Sequence, residues 1–433
     1  MADKLPSTAI VIFGVSGDLS RRYLLPALVE ICQSREVKAQ LNILGLSRRE
    51  LRASDVLSTK AADLASRFET LQMDYTQADD YKKLKTKLKE AACEQVIFYF
   101  AVPPQAVLPI VRNLGANKMN GGKFRLLMEK PFGTDYDSAK QLIDEINQHF
   151  KESQVYRIDH YLAKEAAQNI AVFLGSNALF RDVWNSQFIE KIDIVAEEEI
   201  GVANRAEFWE QTGSLRDFVQ SHLMQLAALV LMKPCPDVFD FSQVQSRRLA
   251  ALRQLELADA GAAIKAQYEG YRQEAANPIS KVETFVSLKL KSNDPDWQGI
   301  PITLTTGKRL KTKQTEIRVY FKKTQAAQTN LLRLLIQPKV GVELELWVKK
   351  PGYEQELQKL PLDFSYQQYF DRLPEAYEQV IIDAIRSRNN LFASSEEVLA
   401  SWKILQPLLS SWDAREPMLY KPGQTAQQVI HNT

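Results

Sequence analysis

The sequence predicts two architectures in one chain, an α/β region followed by an α+β region: a doubly wound parallel sheet at the N-terminus, then a large, mostly antiparallel β+α domain. Two observations carry this. From residue 8 to about residue 157 short apolar runs alternate with longer amphipathic ones, the pattern of βαβ units. After about residue 280 the apolar period becomes two, as in strands with one covered face. At 433 residues and 45% hydrophobic content the chain can hold two or three domains with ordinary cores. We divide it into residues 1–157 and 158–433.

In order along the chain, TAIVIFG (8–14), LNILGL (41–46), QVIFYFAV (95–102), FRLLME (124–129) and QVYRI (154–158) read as strands between helical segments. The stretch DFVQSHLMQLAALVLM, residues 217–232, becomes apolar on every side in its second half and reads as a buried helix. In KVETFVSLKL, Val282, Thr284, Val286, Leu288 and Leu290 share one face, and in VELELWVK so do Val342, Leu344, Leu346 and Val348, as expected of strands. Ser394-Ser395-Glu396-Glu397 opens a further helix with a capping pattern.

Composition excludes several classes of function. Lys plus Arg number 55 against 53 Asp plus Glu, so no general field draws in nucleic acid or an anionic membrane, and any anion is bound locally. Cys32, Cys93 and Cys235 are odd in number and far apart, which argues against a disulfide framework or a zinc site and for a reducing, cytoplasmic setting. The N-terminus runs straight into a strand-like stretch without a basic leader, and no apolar run approaches the ~18 residues of a membrane span.

The first strand leads into Gly14-Val15-Ser16-Gly17-Asp18-Leu19-Ser20-Arg21-Arg22. Glycines there let backbone N–H groups approach a pyrophosphate at a helix N-terminus, as in a Rossmann-like domain. The spacing is GxxG, and a plain strand-to-helix turn would carry the same residues. The second strand ends in Ser47-Arg48-Arg49, where an acidic residue would suit the ribose hydroxyl of NAD; arginines suit the 2′-phosphate of NADP, or are simply solvated. Glu129-Lys130-Pro131-Phe132-Gly133 follows the fourth of these strands and places Lys130 at the carboxyl edge of the sheet, where ligands bind or where a surface lysine precedes a turn. In RIDHYLAKE, residues 157–165, His160 and Lys164 share a face if the segment is helical. With Tyr161 they offer converging donors to a phosphate, or form a structural cluster. A lone histidine in an apolar helix, His222, is more often a satisfied core residue than a base.

Taken together, GxSGDL, EKPFG, RIDHYLxKE, GSLRDFVQSHLMQ and GKRLKTKQTEIRV resemble the glucose-6-phosphate dehydrogenase family, in order and approximate spacing, from about residue 8 to residue 412. Gln337-Pro338 and Lys349-Lys350-Pro351-Gly352 extend the likeness. The resemblance implies NADP-dependent oxidation of glucose 6-phosphate at C1, the first step of the oxidative pentose phosphate pathway, with NAD as a weaker alternative coenzyme and no metal. It implies His222 as general base, oriented by Asp159, and His160, Tyr161 and Lys164 as ligands of the sugar phosphate. Lys130, Glu198, Asp217, Lys308, Lys313 and Gln337 match family positions that contact substrate. Gly14, Ser16, Gly17, Asp18, Leu19, Arg48, Tyr99 and Lys130 match positions near the cofactor. An imidazole, with an ordinary pKa of roughly 6.5, can take the C1 hydroxyl proton at neutral pH while a carboxylate fixes its tautomer. The family implies a homodimer or a dimer of dimers, with no nucleic-acid or membrane partner.

The chain also departs from the family. Ala163 stands where RIDHYLGKE has glycine, GVANRAEFWEQTG replaces a glycine-rich segment, and Tyr23 cuts short the basic run after GxSGDL. Thr305, Gln314 and Leu335 stand near positions that in some members hold a second, structural NADP, so that site is expected to be absent. These departures leave two rivals: a dehydrogenase for another phosphosugar or preferring NAD, and a weakly catalytic regulatory paralogue.

Overall fold

The computed structural model describes residues 5–34, 40–57, 62–235, 237, 240–323 and 328–432. In chain order the strands are β1 (Thr8–Phe13), β2 (Leu41–Ser47), β3 (Phe68–Gln72), β4 (Gln95–Phe100), β5 (Phe124–Met128), β6 (Val155–Ile158), β7 (Ile189–Glu197), β8 (Leu255–Leu257), β9 (Ile264–Tyr268), β10 (Phe285–Ser292), β11 (Ile302–Gly307), β12 (Gln314–Phe321), β13 (Leu331–Gln337), β14 (Gly341–Lys349), β15 (Leu357–Ser365), β16 (Phe392–Ala393) and β17 (Met418–Tyr420). They fall into two compact units. One comprises residues 1–133, 137–163 and 374–395, the other 134–136, 164–373 and 396–433. The first therefore includes a returning segment that a single division after residue 157 leaves with the second.

In the first unit the strand order is β16-β6-β5-β4-β1-β2-β3, parallel from β6 to β3 with β16 antiparallel at the edge. The reversal of strand order beside β1 makes this a Rossmann-like doubly wound sheet. β1 and β4 are buried along their whole length, which is why they read as continuous apolar runs and not as alternation. Helix Ala376–Ile385, on the returning segment, adds Val380, Ile381, Ala384 and Ile385 to this core. Buried Gln95 donates to Thr8 Oγ1 at 2.9 Å and to the Ile385 carbonyl at 2.8 Å, tying the return to β1 and β4.

In the second unit the order is β15-β14-β13-β12-β7-β11-β10-β9-β17, with β8 beside β10. β7 is antiparallel to β12 and parallel to β11; the other pairings are antiparallel except β17 with β9. The expected one-sided burial holds in the second half of β10, where Leu288 and Leu290 are buried and Lys289 and Lys291 exposed, but its first half is enclosed on both faces. It fails at the end of β14, where Leu346 and Val348 are exposed. The helical run around His222 forms as expected: π-helical turns over Leu215–Leu223 continue as the α-helix Met224–Leu231, every residue of which is buried. Among the described residues no helix is long and apolar enough to cross a membrane.

Candidate active site

The carboxyl ends of β1, β2 and β4 surround a cavity of about 1120 Å³, the volume scale of a dinucleotide and not of a small ion. Gly14, Ser16, Gly17, Arg21, Arg48, Arg49, Tyr75 and Gln105 are among its walls. Gly14 has φ +85°, and a Cβ there would lie 2.2 Å from the Ala101 carbonyl oxygen, so only glycine lets β1 turn this close to the end of β4. The Gly14 N–H donates to the Tyr75 hydroxyl at 2.9 Å, and that hydroxyl donates onward to the Leu46 carbonyl at 3.0 Å. Tyr75 thus fixes the glycine turn against the end of β2. Sequence reasoning missed it because its role lies in a contact 61 residues away.

Of the expected cofactor residues, Gly14, Ser16, Gly17 and Arg48 line this cavity; Asp18, Leu19, Tyr99 and Lys130 are not in its walls. Asp18 is exposed and pairs with Arg22 at 2.7 Å. Leu19 packs against the core. Tyr99 differs most from expectation. It is fully buried in the core on the inner face of β4, and its hydroxyl donates to Glu129. Glu129, just before Lys130, accepts a second bond from Tyr377, and desolvation raises its carboxyl above the ordinary value.

RIDHYLAKE is not helical. A turn follows β6, with the Asp159 carboxylate accepting the Tyr161 N–H at 2.9 Å, and the helix Glu165–Ser176 starts only after Lys164, which is extended at φ −70° and ψ 138°. A short carboxylate bonding two residues ahead favours a turn over a helix, so His160 and Lys164 do not share a helical face. The Asp159 and Tyr161 side chains are buried, and the His160 and Tyr161 rings lie 5.1 Å apart. Ala163 is buried, and its φ is not among the positive ones, so alanine fits without strain.

In the second unit, strand register collects four of the expected substrate residues at one end of neighbouring strands. Gly307 pairs with Glu197, Gln314 with Glu197, and Thr315 with Gln337. Glu198, Lys308, Lys313 and Gln337 therefore stand at the same end of β7, β11, β12 and β13. Lys308 pairs with Glu198 at 2.6 Å. Lys164, at the start of the helix Glu165–Ser176, donates to Gln337, whose amide donates to Thr315 Oγ1 at 3.0 Å. Lys313 is exposed. Glu197, which the sequence did not single out, is buried beneath them and accepts from Thr312 at 2.5 Å and Gln314 at 3.2 Å. Asp217 and His222 lie in the helical turns Leu215–Leu223; both are buried, and Phe218 meets the His222 ring edge-on at 5.2 Å. Such a set can bind an anionic polyol by charge-assisted hydrogen bonds and place one imidazole for proton transfer.

Comparison with known proteins decides the family. Residues 11–169 match the family model for the glucose-6-phosphate dehydrogenase NAD-binding domain, and residues 171–432 match the C-terminal domain of the same family. The chain belongs to the glucose-6-phosphate dehydrogenase family. It is 35% identical to the glucose-6-phosphate 1-dehydrogenase of Chlamydia pneumoniae, with 94% of this chain and 90% of that protein covered. It is 32% identical to the enzyme of Dickeya dadantii, with 96% and 93% covered. A solved glucose-6-phosphate dehydrogenase in complex with its substrate glucose 6-phosphate superposes with TM-score 0.92 at 28% identity, covering 100% of this chain and 99% of that one. The Mycobacterium avium enzyme gives 0.88 at 26%, covering 99% and 97%. As a family member the chain is an oxidoreductase with a nicotinamide-cofactor domain.

Proposed function

We propose that this protein oxidises D-glucose 6-phosphate at C1 with NADP, giving 6-phospho-D-glucono-1,5-lactone and NADPH. The observation that carries the reading is the convergence of Glu198, Lys308, Lys313 and Gln337 at one end of four neighbouring strands, with Lys164 bonded to Gln337. A purely structural sheet has no need of polar and charged side chains gathered there. Lys164 and Gln337, with His160 and Tyr161, bind the phosphate; Lys308, Glu198 and Asp217 orient the sugar hydroxyls; Lys130 serves substrate and cofactor. His222 accepts the C1 hydroxyl proton, and Asp159 orients its ring and stabilises the imidazolium. The nicotinamide, when bound, supplies the hydride acceptor. Arg48, in the wall of the first unit's cavity, pairs with the 2′-phosphate and favours NADP over NAD.

We further assign a cytoplasmic setting and a homodimer. β14 and β15 pair with Leu346 opposite Leu360 and Leu344 opposite Leu362, and Leu346, Val348, Leu360 and Leu362, which share that face, are exposed. An apolar sheet face of this kind is what a self-associating surface presents. The reading is tested by following absorbance at the NADPH band with glucose 6-phosphate and either coenzyme. Turnover with NADP exceeding that with NAD is the expected result; activity only toward another phosphosugar, or none, overturns it.

A further inference from the structure

The helical turns carrying Asp217 and His222 are anchored by Trp209 and Glu283, which none of the family motifs covers. Helix Ala206–Ser214 is formed by the end of GVANRAEFWEQTG, a segment in which this chain departs from the family, and the serine after it. Near its end Gly213 breaks the helical path at φ 64° and ψ 179°, and the turns Leu215–Leu223 begin directly afterwards. Glu283 grips this junction in three places. Its carboxylate Oε1 accepts the Leu215 N–H at 2.9 Å, and its main-chain carbonyl accepts the Ser214 N–H at 3.1 Å and the Trp209 indole N–H at 3.3 Å. A Cβ on Gly213 would lie 2.4 Å from that same Oε1, so the glycine makes room for the carboxylate.

The grip reaches the expected substrate lysine as well. The next carbonyl, that of Thr284, accepts the Lys308 N–H at 3.0 Å, and the Lys308 ammonium lies 4.5 Å from the centre of the Trp209 ring. Glu210, next to Trp209, is held in turn by Tyr271, Asn277 and Ser280, each at 2.6 Å. The helix before the junction therefore cannot slide without breaking several bonds. Glu283 is buried at 5% exposure, where the cost of desolvating its carboxyl is offset by these hydrogen bonds and by the charges of Lys265 and Arg216.

We propose that Glu283 is a positioning residue for the reaction: it fixes the start of the helical turns that carry Asp217 and His222, and Trp209 extends the same constraint to Lys308. The first N–H groups of a helix have no partner within it, so an acceptor there sets where the helix begins and how it is directed. His222 is seven residues beyond Leu215, between one and two helical turns on. A small change of direction at the junction is magnified over that length into a displacement approaching 1 Å, enough to cost roughly a hundredfold in rate. The proposal rests on the reading of His222 as base and of Lys308 as a substrate ligand.

Full-length Glu283→Ala, Glu283→Gln and Trp209→Phe variants test it, read by kcat, KM for glucose 6-phosphate and amide hydrogen exchange over residues 213–223. Glutamine keeps an oxygen for the Leu215 N–H and alanine deletes it. Glu283→Ala is expected to lower kcat about ten- to a hundredfold and to speed exchange over 213–223, while Glu283→Gln stays within about threefold of the parent in both. Trp209→Phe opens no large void, so it stays informative even if Glu283→Ala does not fold; it is expected to raise KM about two- to fivefold with kcat little changed. Faster exchange without loss of kcat in Glu283→Ala overturns the proposal, as do equal losses in the glutamine and alanine variants, or an unchanged KM in Trp209→Phe. His222→Asn separates this from the assignment of the base. Normal turnover there with low turnover in Glu283→Ala removes the base but keeps the positioning role, and the opposite pair of results does the reverse.

Discussion

Glu129 and Glu283 are desolvated carboxyls, one in each unit, and they are satisfied in opposite ways. Burial raises the pKa of both carboxyls. Glu129 is held by side chains, the phenols of Tyr99 and Tyr377; Glu283 is held by the backbone N–H of Leu215. A carboxylate bound by side chains joins segments that are remote in sequence, here β4, the end of β5 and the returning helix. One bound by a backbone N–H fixes local direction, here the start of the turns Leu215–Leu223. The contrast teaches that the first unit uses its buried charge to close the fold, and the second uses it to aim a helix.

If the second unit is where aim matters most, the largest effect of any single substitution falls on the residue being aimed. His222→Asn should keep the fold and glucose 6-phosphate affinity while kcat falls by about 10²- to 10⁴-fold. Asp159→Asn should lose a sizeable part of the same factor, and the double variant should be little worse than His222→Asn alone. Normal turnover on folded His222→Asn protein would make this histidine a core residue.

The fold-closing role of carboxyls in the first unit can be broken through a third one. Asp383, buried on helix Ala376–Ile385, is pushed up to about 6, chiefly by desolvation and against the pull of Arg388 and Arg386. Its folded value lies above the unfolded value, so its stabilising contribution is present below about pH 4 and is lost as pH rises through about 6. That loss is worth up to about 3 kcal/mol. Urea unfolding of Asp383→Asn against the parent should therefore show a stability difference that shifts toward the variant between pH 4 and pH 7, and a pH-independent difference would contradict this.

Two smaller effects separate the ligands assigned to each unit. Arg48→Ala should weaken NADP about ten- to a hundredfold and spare NAD, because a charge-assisted contact of roughly 1.5–3 kcal/mol is lost only with the 2′-phosphate; titration with each coenzyme decides it. Lys164→Ala should raise KM for glucose 6-phosphate about tenfold or more, yet leave the weaker oxidation of unphosphorylated glucose nearly unchanged. An equal fall for both sugars would make Lys164 structural. The smallest effect belongs to Ala163. Since its φ is not positive, Ala163→Gly should destabilise by about 1 kcal/mol through backbone entropy, and a higher melting temperature in the variant would contradict that.

The parallel sheet was legible because β1, β4 and β5 are apolar runs of the right length between amphipathic helices. β3 was not legible: FETLQ alternates weakly, with Phe68 buried and its later residues partly or fully exposed, so no period stands out in five residues. Nor was the return of residues 374–395, since AYEQVIIDAI would cover any apolar surface equally well and only tertiary contact selects the first unit. The order of the motifs revealed the family, and through it named Lys164, Lys308 and Gln337 as candidates; no local pattern would have paired side chains 173 residues apart. Glu283 was hidden for another reason. In KVETFVSLKL it falls among the residues facing away from the covered side, where a charge reads as solvated, and its partner is a backbone group that sequence does not advertise.

The returning segment has a consequence for how the protein is made. A ribosome releases the chain from its N-terminus, and domains generally fold as units in that order. Here the nucleotide-binding sheet receives its edge strand β16 and the helix Ala376–Ile385 only after residue 393 has emerged. Until then Gln95 lacks the Ile385 carbonyl as acceptor, Glu129 lacks Tyr377 as donor, and the apolar face that Val380, Ile381 and Ala384 will cover stays open. The first domain to be synthesised is thus among the last to be finished, and a nascent chain halted before residue 374 carries an incomplete cofactor domain however long it is given to fold.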